Sequence, residues 1–143
     1  AAAWFDKPVG HLDAELLPAE HIAMAANGSL IANFFNQVQL EATGADISAT
    51  SLGNTVKGLN RDVTIRDIVS TYIYPNTLKT LSVTREQLKC ALERSAEYFA
   101  IDAGGKLTVS ESFLAPREQH FNYDYFSGIE ASCSTSIMTI SPV

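Results

Sequence analysis

A chain of 143 residues is the size of one domain and long enough to bury a hydrophobic core. Its 46% apolar and 18% charged residues argue against disorder, which needs low hydrophobicity and high net charge. The net charge of −6, with ten Lys and Arg spread singly along the chain, leaves no basic run to replace phosphate counterions. This argues against a DNA or RNA polymer or an anionic membrane as partner, while a pocket for a small nucleotide needs only a few placed groups.

Residues 1–8 read as a linker, followed by one short extended piece near Val9 to Leu12. No stretch approaches the roughly 20 apolar residues of a membrane span. No basic segment followed by an apolar run marks a leader. Asn27-Gly28-Ser29 is a breaker cluster. After it, Ile31, Phe34, Phe35 and Val38 repeat at helical spacing, and Gly44 closes the helix. Ile47 to Leu52 reads as a strand. Thr64 caps a short helix from Ile65 to about Ser70, which Tyr72 to Asn76 breaks, because Pro75 biases its predecessor away from helix. Leu78 to Val83 alternates apolar and polar residues, as a half-buried strand does.

Thr84 and Gln87 have capping-box spacing. The helix they open is expected to bury Leu88, Ala91, Leu92 and Phe99. Gly104-Gly105 is a turn, Lys106 to Val109 a strand, and the chain from Ile129 onward is mostly extended. Helices and strands interleave without a strict βαβ rhythm, which predicts an α+β fold, a mixed β-sheet with packed helices.

Catalytic constellations are missing from the sequence. There is no Gly-x-Ser-x-Gly, and no flanking motif lowers the pKa of Cys90 or Cys133, which read as two unpaired thiols in or near the core. His11, His21 and His120 lie far apart in sequence and read as surface or hydrogen-bonded structural groups, so no metal site and no catalytic residue is assigned. Ser51-Leu52-Gly53-Asn54 lacks the lysine and glycine spacing of a phosphate loop and reads as a strand-ending turn. The aromatic residues are more informative. Tyr72, Tyr74, Phe121, Tyr123, Tyr125 and Phe126 fall in two short segments beside Pro, Asn, Gly or Asp. Such rings either anchor the core or stack on a planar heterocycle whose edge an amide reads.

Several segments, in order, resemble the C-terminal domain of the 5′-nucleotidase family. They are Gly44-Ala45-Asp46-Ile47-Ser48, Val63-Thr64-Ile65-Arg66-Asp67-Ile68 and Tyr72-Ile73-Tyr74-Pro75-Asn76-Thr77-Leu78. Val83 to Leu88, Leu92 to Ala96, Phe121-Asn122-Tyr123-Asp124 and Ser127-Gly128-Ile129 continue the match. Tyr-Pro-Asn-Thr-Leu is most similar to the branch of 2′,3′-cyclic-nucleotide 2′-phosphodiesterase/3′-nucleotidases. The resemblance spans residues 9–130 and leaves 131–143 as a divergent tail, so a fold of this family's C-terminal-domain type, incomplete at its C-terminus, is expected.

The resemblance implies a division of labour. An N-terminal metallophosphatase domain, recognised by Asp-x-His and Gly-Asn-His-Asp/Glu motifs that this chain lacks, holds two divalent metals. The C-terminal domain binds the nucleoside or nucleotide, clasping the base between two aromatic rings. Tyr74 matches one ring position and Asn76 a base-contacting Asn; the Asn122-Tyr123-Asp124 segment is placed near the same pocket by analogy, with Asn122 and Tyr123 as its substrate-binding candidates. The second ring lies beside a Gly-Gly pair that has no counterpart after Gly105. Residues 51–56 also lack the Gly-Gly-x-x-Arg of the nucleotidase branch, which fits the cyclic-phosphodiesterase branch better. The implied function is substrate recognition within a metal-dependent nucleotide phosphoester hydrolase, this chain alone being inactive and carrying no cofactor. The alternative is a structural or interaction module that keeps the fold without binding. The family implies a secreted, periplasmic or cell-surface location. An open sheet edge left by missing final strands implies a homodimer.

Overall fold

The computed structural model describes the backbone of residues 2–134 and 137–142 and the side chains of residues 3–130. The chain opens with α1 (Ala2–Phe5), β1 (Pro8–His11), α2 (His21–Asn27) and α3 (Leu30–Thr43). There follow β2 (Ser48–Ser51), β3 (Asp62–Thr64), α4 (Ile65–Thr71) and α5 (Arg85–Ala96). Then come β4 (Phe99–Ile101), β5 (Leu107–Val109), β6 (Asp124–Ser127), β7 (Ile129–Ser134) and β8 (Ile137–Pro142). Two 3₁₀ turns, Glu111–Phe113 and His120–Asn122, lie between β5 and β6.

The α+β class holds. Its β component, among the described residues, is a set of small antiparallel ladders: β1 with β3, β2 with β6, β4 with β5 and β7 with β8. Each ladder is short and covered in part by a helix, so the sheet edges are brief.

Local chemistry explains most elements. The Ser29 hydroxyl accepts the Ala32 N–H at 3.3 Å at the start of α3, and Gly44, at φ 65°, closes it by donating its N–H to the Leu40 carbonyl. The buried stripe of α3 is rotated from the one its apolar spacing predicts. Ile31, Ala32 and Asn36 are buried, whereas Val38 faces solvent. The rotation follows from polar satisfaction: the Asn36 amide donates to the Tyr125 carbonyl at 2.8 Å and accepts from the Ser48 hydroxyl at 2.8 Å. A buried amide with these bonds is tolerated in the core, and without them it is costly. Asn36 thereby fixes α3 against the β2–β6 ladder.

Two cores result. Met24, Ile31, Ala32, Leu52, Leu59, Val63 and Tyr125 form the first, beneath α2 and α3. The second is aromatic. The rings of Tyr98 and Phe113 are buried, with centroids 5.2 Å apart, and Phe99 and Tyr123 pack edge-on or tilted against Tyr98 at 5.7 and 4.8 Å. Tyr125 joins the two cores, its ring 4.8 Å from that of Tyr123.

Several expectations are corrected. Leu78 to Val83 is not a strand, and every residue from Tyr72 to Gln87 is exposed. Its alternation is real, but β2 and β6 pair with each other and offer it no ladder. Phe99 is not on the inner face of α5, because that helix ends at Ala96 and Phe99 opens β4. Leu92 and Ser95 are the buried residues of α5, whereas Ala91 is exposed. Cys90 is exposed rather than near the core; the side chain of Cys133 lies outside the described residues. Helix α2 and strand β4 carried no anticipated signal.

Candidate functional site

The β2–β6 register places Ala49 opposite Phe126 and Ser51 opposite Asp124. Directly opposed residues share a sheet face. Ser48, Thr50 and Tyr125 are buried, Ser48 and Tyr125 through the Asn36 bonds, so Ala49, Ser51, Asp124 and Phe126 occupy the other face. That face, one side of α5 and the segment from Asn76 to Thr84 enclose an open cleft of about 1170 Å³. Leu88 and Ala91 of α5 look into it, which is why Ala91 is uncovered.

Tyr72 leads the chain to the cleft. Its ring packs edge-on against Phe35 with centroids 5.3 Å apart, anchoring the segment to α3. Tyr74, two residues on, is 61% exposed. The Asn76 N–H donates to the Tyr74 carbonyl at 2.8 Å, folding the Tyr-Pro-Asn step into a tight turn. Asn76 lines the cleft, as does Tyr72. A ring with open faces and an amide with one donor and one acceptor end therefore stand within one turn of each other.

Asn122 and Tyr123 are not gathered there. The Asn122 amide donates to the Gln119 side chain at 2.8 Å. Tyr123 lies among Tyr98, Phe99 and Tyr125 and donates its hydroxyl to the Ala25 carbonyl at 3.3 Å. Burial pushes its phenol pKa up. The neighbouring Asp124, by contrast, lines the cleft half-buried. Its N–H reaches the Ser95 hydroxyl at 3.4 Å, and no hydrogen bond or ion pair among the described residues ends on its carboxylate oxygens. Burial raises its pKa from the ordinary carboxylate value. Lys79 and Arg85 lie elsewhere along the cleft lining.

The histidines, remote in sequence, do meet. The rings of His21 and His120 stack with centroids 4.1 Å apart and planes within 10°. His21 Nε2–H donates to the Asn54 carbonyl at 3.1 Å, and His120 Nδ1 is hydrogen-bonded to the Tyr98 hydroxyl at 2.6 Å. Asn54 in turn donates to the Glu118 carbonyl at 2.8 Å, so the Ser51–Asn54 turn is a structural junction. Among the described residues no three His, Cys, Asp or Glu side chains gather as a metal-holding group. No helix among them is long and apolar enough to cross a membrane.

Residues 8–136 match the model of the 5′-nucleotidase C-terminal domain. The chain belongs to this 5′-nucleotidase C-terminal domain family. Among solved structures it is similar to a candidate 5′-nucleotidase from Staphylococcus aureus, determined at 2.05 Å in complex with alpha-ketoglutarate. The TM-score is 0.86 and the identity 32%, over 98% of this chain and 28% of that one. The chain thus spans about 28% of that relative's length. No curated protein matches it.

As a 5′-nucleotidase C-terminal domain, the chain carries its exposed ring on the segment the motif comparison singles out. Of the Asn122-Tyr123-Asp124 segment that the motif comparison places near the pocket, Asp124 is the residue that lines the cleft. The alternation across Asp124-Tyr125-Phe126, with Tyr125 turned to the core, is the signal that points it to the opposite face.

Proposed function

We propose that this domain recognises the nucleoside part of a nucleotide within a two-domain, metal-dependent phosphoester hydrolase. Tyr74 stacks on the base and Asn76 reads its edge. Tyr123 and Asn122 serve the site from behind, holding the segment that carries Asp124. The phosphoester would be cleaved in a separate metallophosphatase domain, whose two divalent metals generate the nucleophile and clamp the phosphate. The reaction class we assign is 2′,3′-cyclic phosphodiesterase/3′-nucleotidase, on the Tyr-Pro-Asn-Thr-Leu sequence at residues 74–78 and the missing Arg near Gly53. The location we assign is secreted, periplasmic or cell-surface.

The observation that supports this reading best is the 61% exposure of Tyr74 two residues from an Asn76 that lines the cleft. A large ring held that open loses the burial that ordinarily stabilises an aromatic side chain, unless a ligand covers it. Stacking contributes about 1–3 kcal/mol per base. With one ring, total binding of about 4 kcal/mol corresponds to a millimolar Kd.

Isothermal titration of the domain with adenosine tests the reading. Millimolar binding that Tyr74→Ala abolishes without lowering the melting temperature supports it. A second reading, a module that keeps the fold without binding nucleosides, is favoured by the burial of Tyr123 in the aromatic core. It predicts no heat of binding in either protein.

A further inference from the structure

The cleft lining includes every residue from Ala45 to Ser51 and every residue from Asn76 to Arg85, but of β6 only the alternate residues Asp124 and Phe126. Successive side chains of a strand point to opposite faces, so a cavity over a sheet face meets alternate residues. A cavity that meets each residue in turn runs along a strand's edge. Ser48 and Thr50 agree: both are buried on the far face of the ladder, yet both reach the lining. The cleft is thus a slot between two backbone edges, the outer edge of β2 and the run from Thr77 to Thr84. Neither edge is paired. Among the described residues β2 forms a ladder with β6 alone, and no backbone–backbone hydrogen bond engages any residue from Thr77 to Val83. The same run exposes Leu78, Leu81 and Val83, with Lys79 as its one charge and no proline. An exposed, nearly uncharged and unpaired edge is a template for another strand.

We propose that this slot takes a β-strand from a second copy of the chain, the run from Thr77 to Thr84, in a reciprocal exchange. Neither Tyr74 nor Asn76 takes part, so the nucleoside reading stands or falls separately. Free N–H and carbonyl groups along both walls are matched by another backbone, which adds as a strand through main-chain hydrogen bonds. The sequence of the run points to a second copy as the source. Paired antiparallel with itself about a two-fold axis between Thr80 and Leu81, it sets Leu78 against Val83 of the second copy, Thr77 against Thr84 and Lys79 against Ser82. Apolar cross-strand pairs stabilise a sheet and directly opposed like charges destabilise it. This register makes the apolar pair on both sides of the axis and keeps the two Lys79 ammonium groups from facing each other. Each copy offers one strand and one slot, so the exchange closes at two copies. The two β2–β6 ladders are then joined through the two central runs, and neither run keeps a free edge.

Sedimentation equilibrium of the whole chain over a range of concentrations, beside Leu81→Lys and Thr80→Pro, tests this. The wild-type chain is expected to reach twice the monomer mass. Both variants should stay monomeric with unchanged circular dichroism, because a charge on the edge and a lost ladder donor act only on the shared sheet. Register is read by disulfide cross-linking in a Cys90→Ser, Cys133→Ser background. Leu78→Cys mixed with Val83→Cys should cross-link, since directly opposed residues bring their Cβ atoms to about 4.5–5.5 Å, whereas Leu81→Cys alone should not. A wild-type chain that is monomeric at every concentration overturns the proposal. So does a dimer that persists in both variants, or one that cross-links only through Leu81→Cys. A monomer whose cleft amide signals shift with an unrelated alternating Val-Thr peptide also overturns it, assigning the slot to a foreign strand. Should the variants not fold, hydrogen exchange of the wild-type amides decides. Those of residues 77–83 should exchange more slowly at high than at low protein concentration, and equal rates would contradict the proposal.

Discussion

His120 has little room for a proton. Burial, and then the adjacent His21, lower its pKa below the ordinary 6.5, and Glu118, 4.0 Å away, only partly offsets this. Its hydrogen-bonded neighbour, the Tyr98 hydroxyl, sits in the same desolvated cluster, where burial pushes the Tyr98 phenol up to about 12. A base whose folded pKa is depressed contributes stability that is present above its unfolded pKa and lost as pH falls through the folded value. The domain is therefore expected to melt at a lower temperature at pH 5 than at pH 7.5. His21→Phe, which keeps the stacked ring and removes the second charge, should shrink that difference. An equal loss in both proteins would place the acid sensitivity elsewhere. Gly128 is a second residue with a sharp requirement. Its φ of 84° suits glycine, and an added Cβ would run into the Asp46 carbonyl. Gly128→Ala should cost roughly 1–3 kcal/mol, read by urea denaturation; an unchanged midpoint would show that the backbone relaxes there.

At the scale of elements, short-range chemistry was the legible part. Thr64 heads α4 with a reciprocal box: its hydroxyl accepts the Asp67 N–H at 3.3 Å, and the Asp67 carboxylate accepts from the Thr64 N–H at 2.8 Å. The Thr64 hydroxyl, which donates to the same carboxylate at 2.6 Å, and then the Thr64 N–H lower the Asp67 pKa. Thr64→Ala should cost about 1 kcal/mol and lower the melting temperature by a few degrees, while Thr64→Ser retains most of it. Thr84, the same signature in sequence, caps α5 in the same way. Caps and the Gly44 stop depend on residues three or four apart, so the sequence displays both partners at once. Strand pairing does not. Leu78 to Val83 has the alternation of a strand, but whether a ladder exists depends on a partner dozens of residues away. The rotation of α3 is similar, since what draws Asn36 inward is a carbonyl on β6. The stacked histidines were illegible for the same reason, being brought together by α2 and a 3₁₀ turn 99 positions apart in the chain numbering, from His21 to His120.

For the molecule as a whole, motif order revealed the family and singled out Tyr74 and Asn76 as candidates, whereas the cleft emerges only where α5 and the β2–β6 face line its two sides. Ile73, Tyr74, Leu78, Leu81 and Val83 form an exposed apolar run beside it. Runs of this kind mark surfaces that bind something. Self-association at high concentration is one expected consequence, and a monomer throughout by sedimentation equilibrium would contradict it. The division of labour also predicts that the isolated domain, given Mn²⁺, does not turn over 2′,3′-cyclic AMP or 3′-AMP. The claim on which the rest depends is that Tyr74 and Asn76 form a base-recognition site, and an NMR titration with adenosine addresses it most directly. Saturable shifts of the Tyr74 ring and Asn76 amide signals at millimolar ligand, lost in Tyr74→Ala, are the predicted result. Signals that stay unmoved at both residues would contradict it and leave a domain that keeps the family's fold without its recognition.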